Sequence, residues 1–115
     1  MSGNRLLLDT NSIIQLLKGN TFVFDEVQRA SFVAISIISK LEFMSFSRLI
    51  ETDKSLFGIF EKRIDVLELV DSAEQVSSIV EMRTNSSIKL PDAIIAGTAV
   101  ANHCKLITAD KKLIK

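Results

Sequence analysis

Four acids stand at positions where a chain of this kind can do chemistry: Asp9, Glu42, Asp92 and Asp110. Asp9 ends the apolar run Leu6-Leu7-Leu8, and Asp110 follows Leu106-Ile107-Thr108-Ala109. Glu42 comes shortly after the β-rich run Phe32-Val33-Ala34-Ile35-Ser36, and Asp92 sits in Leu90-Pro91-Asp92 at a helix start. Taken singly, each has a structural explanation. Asp9 before Thr10-Asn11-Ser12 can cap a helix, because Asp, Asn and Ser oxygens accept from the exposed N–H groups there. Glu42 lies three residues after Ser39, a capping-box spacing that Ser72 and Gln75 repeat at a helix with no evident chemistry. Asp92 lies in a first turn, where the helix dipole favours an anion, and Asp110 can cap a last turn.

Jointly they ask for more. Two of them end strands, and Glu42 and Asp92 are expected in the first turns of helices; in a parallel α/β sheet all four can then face the carboxyl edge, where such sheets bind ligands. Crowded carboxylates repel unless something positive sits between them. His103 is the only histidine and Cys104 the only cysteine, so no zinc cluster and no intramolecular disulfide can form. The fitting occupant is Mg²⁺ or Mn²⁺, hard ions that prefer oxygen. A metal so held can activate water and stabilise charge on a phosphate, which points to phosphodiester hydrolysis, although phosphatases use similar acids.

The elements that must position these acids follow from the apolar pattern. Strands are expected over residues 6–9, 32–36, 64–70 and 104–108, and helices over 12–18, 20–29, 39–49, 52–62, 71–83 and 90–102, with a last helical turn at 111–115. The near-continuous apolarity of the first two strands suits central parallel strands covered on both faces. Phe24 and Val27 are expected to face inward, Gly58 to break its helix, and the polar stretch 84–89 to be a loop. Ala93, Ala96, Gly97, Ala99 and Ala101 would let their helix sit close against the sheet. The helical pair holding Phe43, Phe46, Phe57 and Phe60 reads as core packing or, alternatively, as a dimer surface. The fold class is therefore α/β, a three-layer α/β/α sandwich around a mainly parallel sheet of four or five strands.

The chain of 115 residues suits one domain. Mean hydropathy is +0.28. The longest small or apolar run, residues 93–101, is well short of the roughly 18 residues of a membrane span. Arg5 and three leucines before Asp9 are too little for a secretory signal, so a cytoplasmic location without membrane association is expected. Fourteen basic and fourteen acidic residues balance, so net charge gives no nucleic-acid signal. Gathering four acids into one site would leave the basic residues in excess elsewhere. Arg48, Lys54, Lys62, Arg83, Lys89 and Lys105 are the candidates, as a group, to meet a polyanion.

In order and spacing, Leu6-Leu7-Leu8-Asp9-Thr10-Asn11, the stretch Ile35 to Phe43 with Glu42, Lys89-Leu90-Pro91-Asp92 with the small residues that follow, and Leu106 to Leu113 with Asp110 resemble the PIN domains of VapC-type toxins. The resemblance spans nearly the whole chain and makes residues 1–115 a single PIN-like domain. It implies a metal-dependent endoribonuclease (Mg²⁺ or Mn²⁺) of a type II toxin–antitoxin pair, a homodimer inhibited by a VapB-like antitoxin. It makes Asp9, Glu42, Asp92 and Asp110 the catalytic, metal-binding acids. Thr10 and Asn11 would shape the first site, and the Thr108 hydroxyl would orient the Asp110 turn. Two departures stand out. Ala109 occupies the place before the last acid where the family often has Asn, which removes a polar group and weakens a second metal. The sequence also stops at Lys115, where the family usually continues into a further strand; either the sequence is trimmed there or the sheet is expected to have an open edge, at a cost in stability.

An RNA substrate would be read in a single-stranded loop, as of a tRNA or rRNA. The rival reading is a catalytically weak or inactive module of the same fold that binds RNA or protein. A receiver-type domain lacks its second acid beside Asp9. His103 at a helix end and Cys104 at a strand start read as a polar cap and a core thiol rather than a nucleophile pair.

Overall fold

In the computed structural model, which describes residues 4–46 and 48–108, Leu6, Leu7 and Leu8 expose no surface. They form β1 (Arg5–Leu8), which pairs in parallel with β2 (Phe32–Ser36) on one side and β4 (Lys105–Ile107) on the other. β3 (Asp65–Leu67) adds outside β2, giving the order β3-β2-β1-β4 with every pairing parallel. Leu8 stands opposite both Ile35 and Ile107, so the three strands end level with one another. Strand alternation sends Leu6 and Leu8 to one face and Leu7 to the other. Leu6, Leu8, Ile35 and Ile107 pack with Ile13, Val23, Phe43 and Phe57. Leu7 packs with Ile95 and Ala99 on the opposite side. The expected three-layer α/β/α architecture is the one observed, with β1 in the sheet interior and, among the described residues, four strands.

The helical layer over Leu6 and Leu8 begins with α1 (Thr10–Leu17) and α2 (Thr21–Arg29). Asn20 caps α2 by accepting from the Val23 N–H at 3.0 Å. Its inward pair is Val23 and Val27, one turn apart, while Phe24 is 50% exposed, contrary to expectation. α3 (Ile37–Met44) starts directly off β2, capped by the Ser36 hydroxyl, which accepts from the Ile38 N–H at 3.0 Å. Ser39 is fully buried with an unbonded hydroxyl and caps nothing. The capping-box reading of Glu42 therefore fails, and this acid stands in the second turn rather than the first. α4 (Glu51–Glu61) runs unbroken through Gly58. Phe43 stacks on Phe57 with ring centroids 4.7 Å apart, so these two rings are core, and a Lys40–Glu61 ion pair joins α3 to α4.

The other layer holds α5 (Ala73–Ser86) and α6 (Leu90–Ala101). Ser72 caps α5, accepting from the Gln75 N–H at 3.1 Å. The helix continues three residues past Arg83 into the polar stretch expected to be a loop, and ends where Ser87 turns left-handed at φ 51°. The Arg83 guanidinium then donates to the Ile88 carbonyl at 2.6 Å and closes the short connection to α6. The small residues of α6 serve two neighbours, not the sheet alone. Ala99 meets Leu7, whereas Ala93 and Ala96 pack with Ile79 and Met82 of α5. Gly97 comes so near α5 that a Cβ there would lie 2.7 Å from the Ile79 backbone.

Candidate active site

Because the strands are parallel, their carboxyl ends share one edge of the sheet. α6 feeds β4 at the opposite edge, so its first turn, with half-buried Asp92, lies at the carboxyl edge too. Asp9 leaves β1 at that edge and caps α1, its Oδ1 accepting from the Ser12 N–H at 2.8 Å, with 6% of its surface exposed. Its capping role and a second role are compatible, since a carboxylate has a further oxygen and several lone pairs.

Glu42 comes to the same place from α3. The Thr10 hydroxyl, on the first residue of α1, donates to Glu42 Oε1 at 2.5 Å, the length of a hydrogen bond to a charged acceptor. Helix spacing explains why the acid can reach: α3 starts at Ile37, so its second turn lies beside the start of α1, and those two helices pack together. Thr10, Asn11 and Glu42, with Ile14, Ser45 and Phe46, line an open cavity of about 470 Å³. A second cavity of about 300 Å³ shares Phe46 and is bordered by Arg48, Leu49 and Asp53.

The structure thus brings Thr10, Asn11 and Glu42 together, with Asp9 next to Thr10 in the chain, and sets Asp92 on the same edge. Thr108 follows β4 there and lines a cavity of about 330 Å³ with Ser12, Asn20, Phe22 and Ile107. Asp110 and Ala109 lie outside the described residues, as does the expected last helical turn. Among the described residues, no three His, Cys, Asp or Glu side chains are close enough together to hold a metal ion. The donors at the edge are nonetheless all oxygen, which suits a hard divalent ion, and Mg²⁺ is commonly held through one or two carboxylates while keeping several waters.

Ser12 was expected only as part of a helix start. It proves to be 3% exposed and its hydroxyl donates to the Ile107 carbonyl at 2.7 Å, a contact across 95 positions that no local pattern announces. Of the basic candidates, Arg83 is engaged with Ile88 and Lys105 lies 4.0 Å from Glu26, while Arg48 borders the cavity beside Glu42's. Burial pushes the Cys104 thiol up, with the Arg5 charge and hydrogen bond opposing, so this sulfur is a poor nucleophile. His103 is exposed in the turn before β4 at φ 56°.

Among the described residues no helix is long and apolar enough to cross a membrane. No curated protein matches the chain. Solved structures do. One is from a toxin–antitoxin complex of Klebsiella pneumoniae, with a TM-score of 0.76 and 27% identity over 93% of this chain and 88% of that one. Another is VapBC2 from Rickettsia felis bound to a DNA fragment from their promoter, with a TM-score of 0.76 and 25% identity over 93% of this chain and 89% of that one. FitAcB from Neisseria gonorrhoeae shares the fold, at a TM-score of 0.66 and 21% identity over 94% and 89% of the two chains. The sequence model of the PIN domain matches residues 6–115. With a match across nearly its whole length, on a parallel α/β/α sandwich, the chain belongs to the PIN-domain family.

Proposed function

We propose that this chain is a divalent-metal-dependent endoribonuclease, the toxin of a VapBC-type toxin–antitoxin pair acting in the cytoplasm. PIN domains are nucleases as a family, and solved relatives come from toxin–antitoxin complexes. The observation that carries the reading for these residues is the Thr10–Glu42 hydrogen bond, which fixes an acid of α3 beside the end of β1 where Asp9 stands.

Asp9, Glu42, Asp92 and Asp110 would hold Mg²⁺ or Mn²⁺. A metal bound there would supply an activated water and positive charge for the phosphate and the leaving oxygen. The chain's own residues prepare that site. The Ser12 N–H holds Asp9 Oδ1 and so orients the carboxylate, and the Thr10 hydroxyl does the same for Glu42. Asn11, exposed on the cavity wall, would help shape the first site, and Thr108 would steady the turn toward Asp110. Arg48 borders the neighbouring cavity and would meet the RNA backbone. A tRNA or rRNA loop is the favoured substrate, because splayed single-stranded bases are what a protein can read.

The proposed partners are a VapB-like antitoxin and a second copy of the chain. Leu41, Met44, Leu56 and Ile59 on α3 and α4 are exposed apolar residues that a homodimer would cover. The test is RNA cleavage in Mg²⁺ or Mn²⁺, expected to stop with chelator and with Asp9→Asn. Full activity of that folded variant would sink the proposal. Absence of cleavage together with RNA binding would favour the inactive binding module instead.

A further inference from the structure

Phe46 follows the C-terminal cap of α3 and comes four residues after Glu42. Its N–H donates to the Phe43 carbonyl at 3.3 Å and its own carbonyl accepts from the Leu49 N–H at 3.2 Å, so the backbone is fixed on both sides. Its ring meets that of Phe43 at 60° with centroids 6.1 Å apart, and Phe43 in turn stacks on buried Phe57. The side chain is thereby braced against the core while 41% of the residue stays exposed. An edge-to-face contact engages one ring's edge and the other's face, so at least one face of Phe46 is left by it.

Exposure alone carries nothing, since lone apolar residues are ordinary on a protein surface and Phe22 is more exposed still. Position sets Phe46 apart. It lines both the cavity of about 470 Å³ that holds Thr10, Asn11 and Glu42 and the cavity of about 300 Å³ bordered by Arg48 and Asp53. Asp53 Oδ2 accepts from the Ile50 N–H at 3.3 Å, so its charge serves the start of α4, whereas Arg48 is exposed. An aromatic ring thus joins the cavity of a site acid to that of a guanidinium. Single-stranded RNA carries the complementary features in the same order: a phosphodiester for the acidic centre, a base with a π face for the ring, and a further phosphate for the cation. An apolar peptide segment would meet the ring and offer nothing to the two charges.

We infer that Phe46 is a stacking platform for one unpaired RNA base, set between the phosphodiester at Glu42 and a phosphate met by Arg48. The inference rests on the proposed ribonuclease reading and narrows its substrate to a strand whose base is free to leave its own stack at this position. Stacking accepts any base, since every base has a π face, so Phe46 supplies affinity for single strands and not sequence. Removal of one such platform weakens single-strand binding by roughly 5- to 150-fold.

The chain has no Trp and no Tyr, so Phe46→Trp introduces a single indole, whose fluorescence a stacked base quenches. The titrants are a short oligoadenylate and a ribose–phosphate chain of equal length without bases, added to the full chain in Ca²⁺, with the RNA checked by gel for integrity. Oligoadenylate is expected to quench Phe46→Trp and to leave unchanged the indole of Phe22→Trp, in the cavity beside Thr108; the base-free chain is expected to quench neither. Phe46→Leu keeps an apolar side chain but loses the π face, and is expected to raise KM for RNA cleavage by about 5-fold or more with kcat retained. If that variant does not fold, the quenching carries the test. Equal quenching by both titrants, quenching of Phe22→Trp alone, or an unaltered KM in folded Phe46→Leu overturns the inference. So does the absence of any quenching, which leaves Phe46 to a protein partner. Quenching by oligoadenylate in a chain that cleaves no RNA in Mg²⁺ or Mn²⁺ overturns the ribonuclease reading and keeps the base platform.

Discussion

Gly97→Ala adds a single methyl group where α6 crosses α5. That methyl would sit 2.7 Å from Ile79 Cα, from Ile79 N and from Ile79 Cγ1. Two of those three atoms are backbone, so the clash cannot be relieved by a side-chain rotation; α5 and α6 must move apart. Overpacking of a fitted interior costs about 1–3 kcal/mol, and a backbone obstacle belongs near the upper end. Against this, alanine is favoured over glycine inside a helix by about 1 kcal/mol. The expected net loss is about 2 kcal/mol, which for a domain of this size lowers the melting temperature by roughly 8 °C. Gly58→Ala supplies the control. It lies inside α4, a Cβ there would meet nothing within 4 Å, and the same helical preference acts unopposed. A gain of about 0.5–1 kcal/mol is expected. Urea unfolding of the two variants beside the parent, followed by circular dichroism, reads both values. Opposite signs are required, and a Gly97→Ala variant as stable as Gly58→Ala would refute the close approach of α5 and α6. The matter bears on the site because α6 carries Asp92 in its first turn.

Further outcomes follow from the site and its surroundings. Thr10→Val keeps the shape of the side chain but removes the hydroxyl that holds Glu42 Oε1; cleavage is expected to fall by about 10- to 100-fold with RNA binding retained, and unchanged kcat would refute the orienting role. The Cys104 thiol is held up by burial, so it should alkylate more slowly at pH 8 than an unfolded control. The same shift has a sign for stability. With the folded value above the unfolded one, the contribution is fully present below the unfolded value and disappears as pH rises through the folded one. Urea midpoints of the parent should therefore drop at alkaline pH more than those of Cys104→Ala.

Much of this arrangement can be read from local pattern, and its failures have definite causes. Leu6-Leu7-Leu8 announces a strand buried on both faces, because no polar residue interrupts the run, and β1 indeed lies inside the sheet. Asn20 and Ser72 announce helix starts through the same chemistry that makes them caps. Ser39 misleads because its spacing to Glu42 imitates a capping box, while the real cap, Ser36, is the last residue of a strand with β-branched Ile37 and Ile38 behind it. Phe24 misleads because size is not orientation: the contact of α2 with the core is set by Val23 and Val27. Gly58 is a weak breaker inside a helix anchored by Phe57, and the polar residues after Arg83 continue α5 because an exposed helix end needs no apolar face. The approach of Glu42 to Thr10 depends on how α1 and α3 pack, and the Ser12–Ile107 bond joins opposite ends of the chain. Neither is written in a local window; the acids could be nominated by type and order, but not the hydroxyls that hold them.

In the proposed function, Asp9, Glu42, Asp92 and Asp110 would together hold a divalent ion for phosphodiester hydrolysis. Anomalous scattering at the manganese edge, from crystals of the chain grown with Mn²⁺, tests it most directly. A peak bounded by these four acids, absent from crystals of Asp9→Asn, is the expected result. Strong Mn²⁺-dependent cleavage of RNA by the same preparation, with no peak there or with a peak elsewhere, would contradict it.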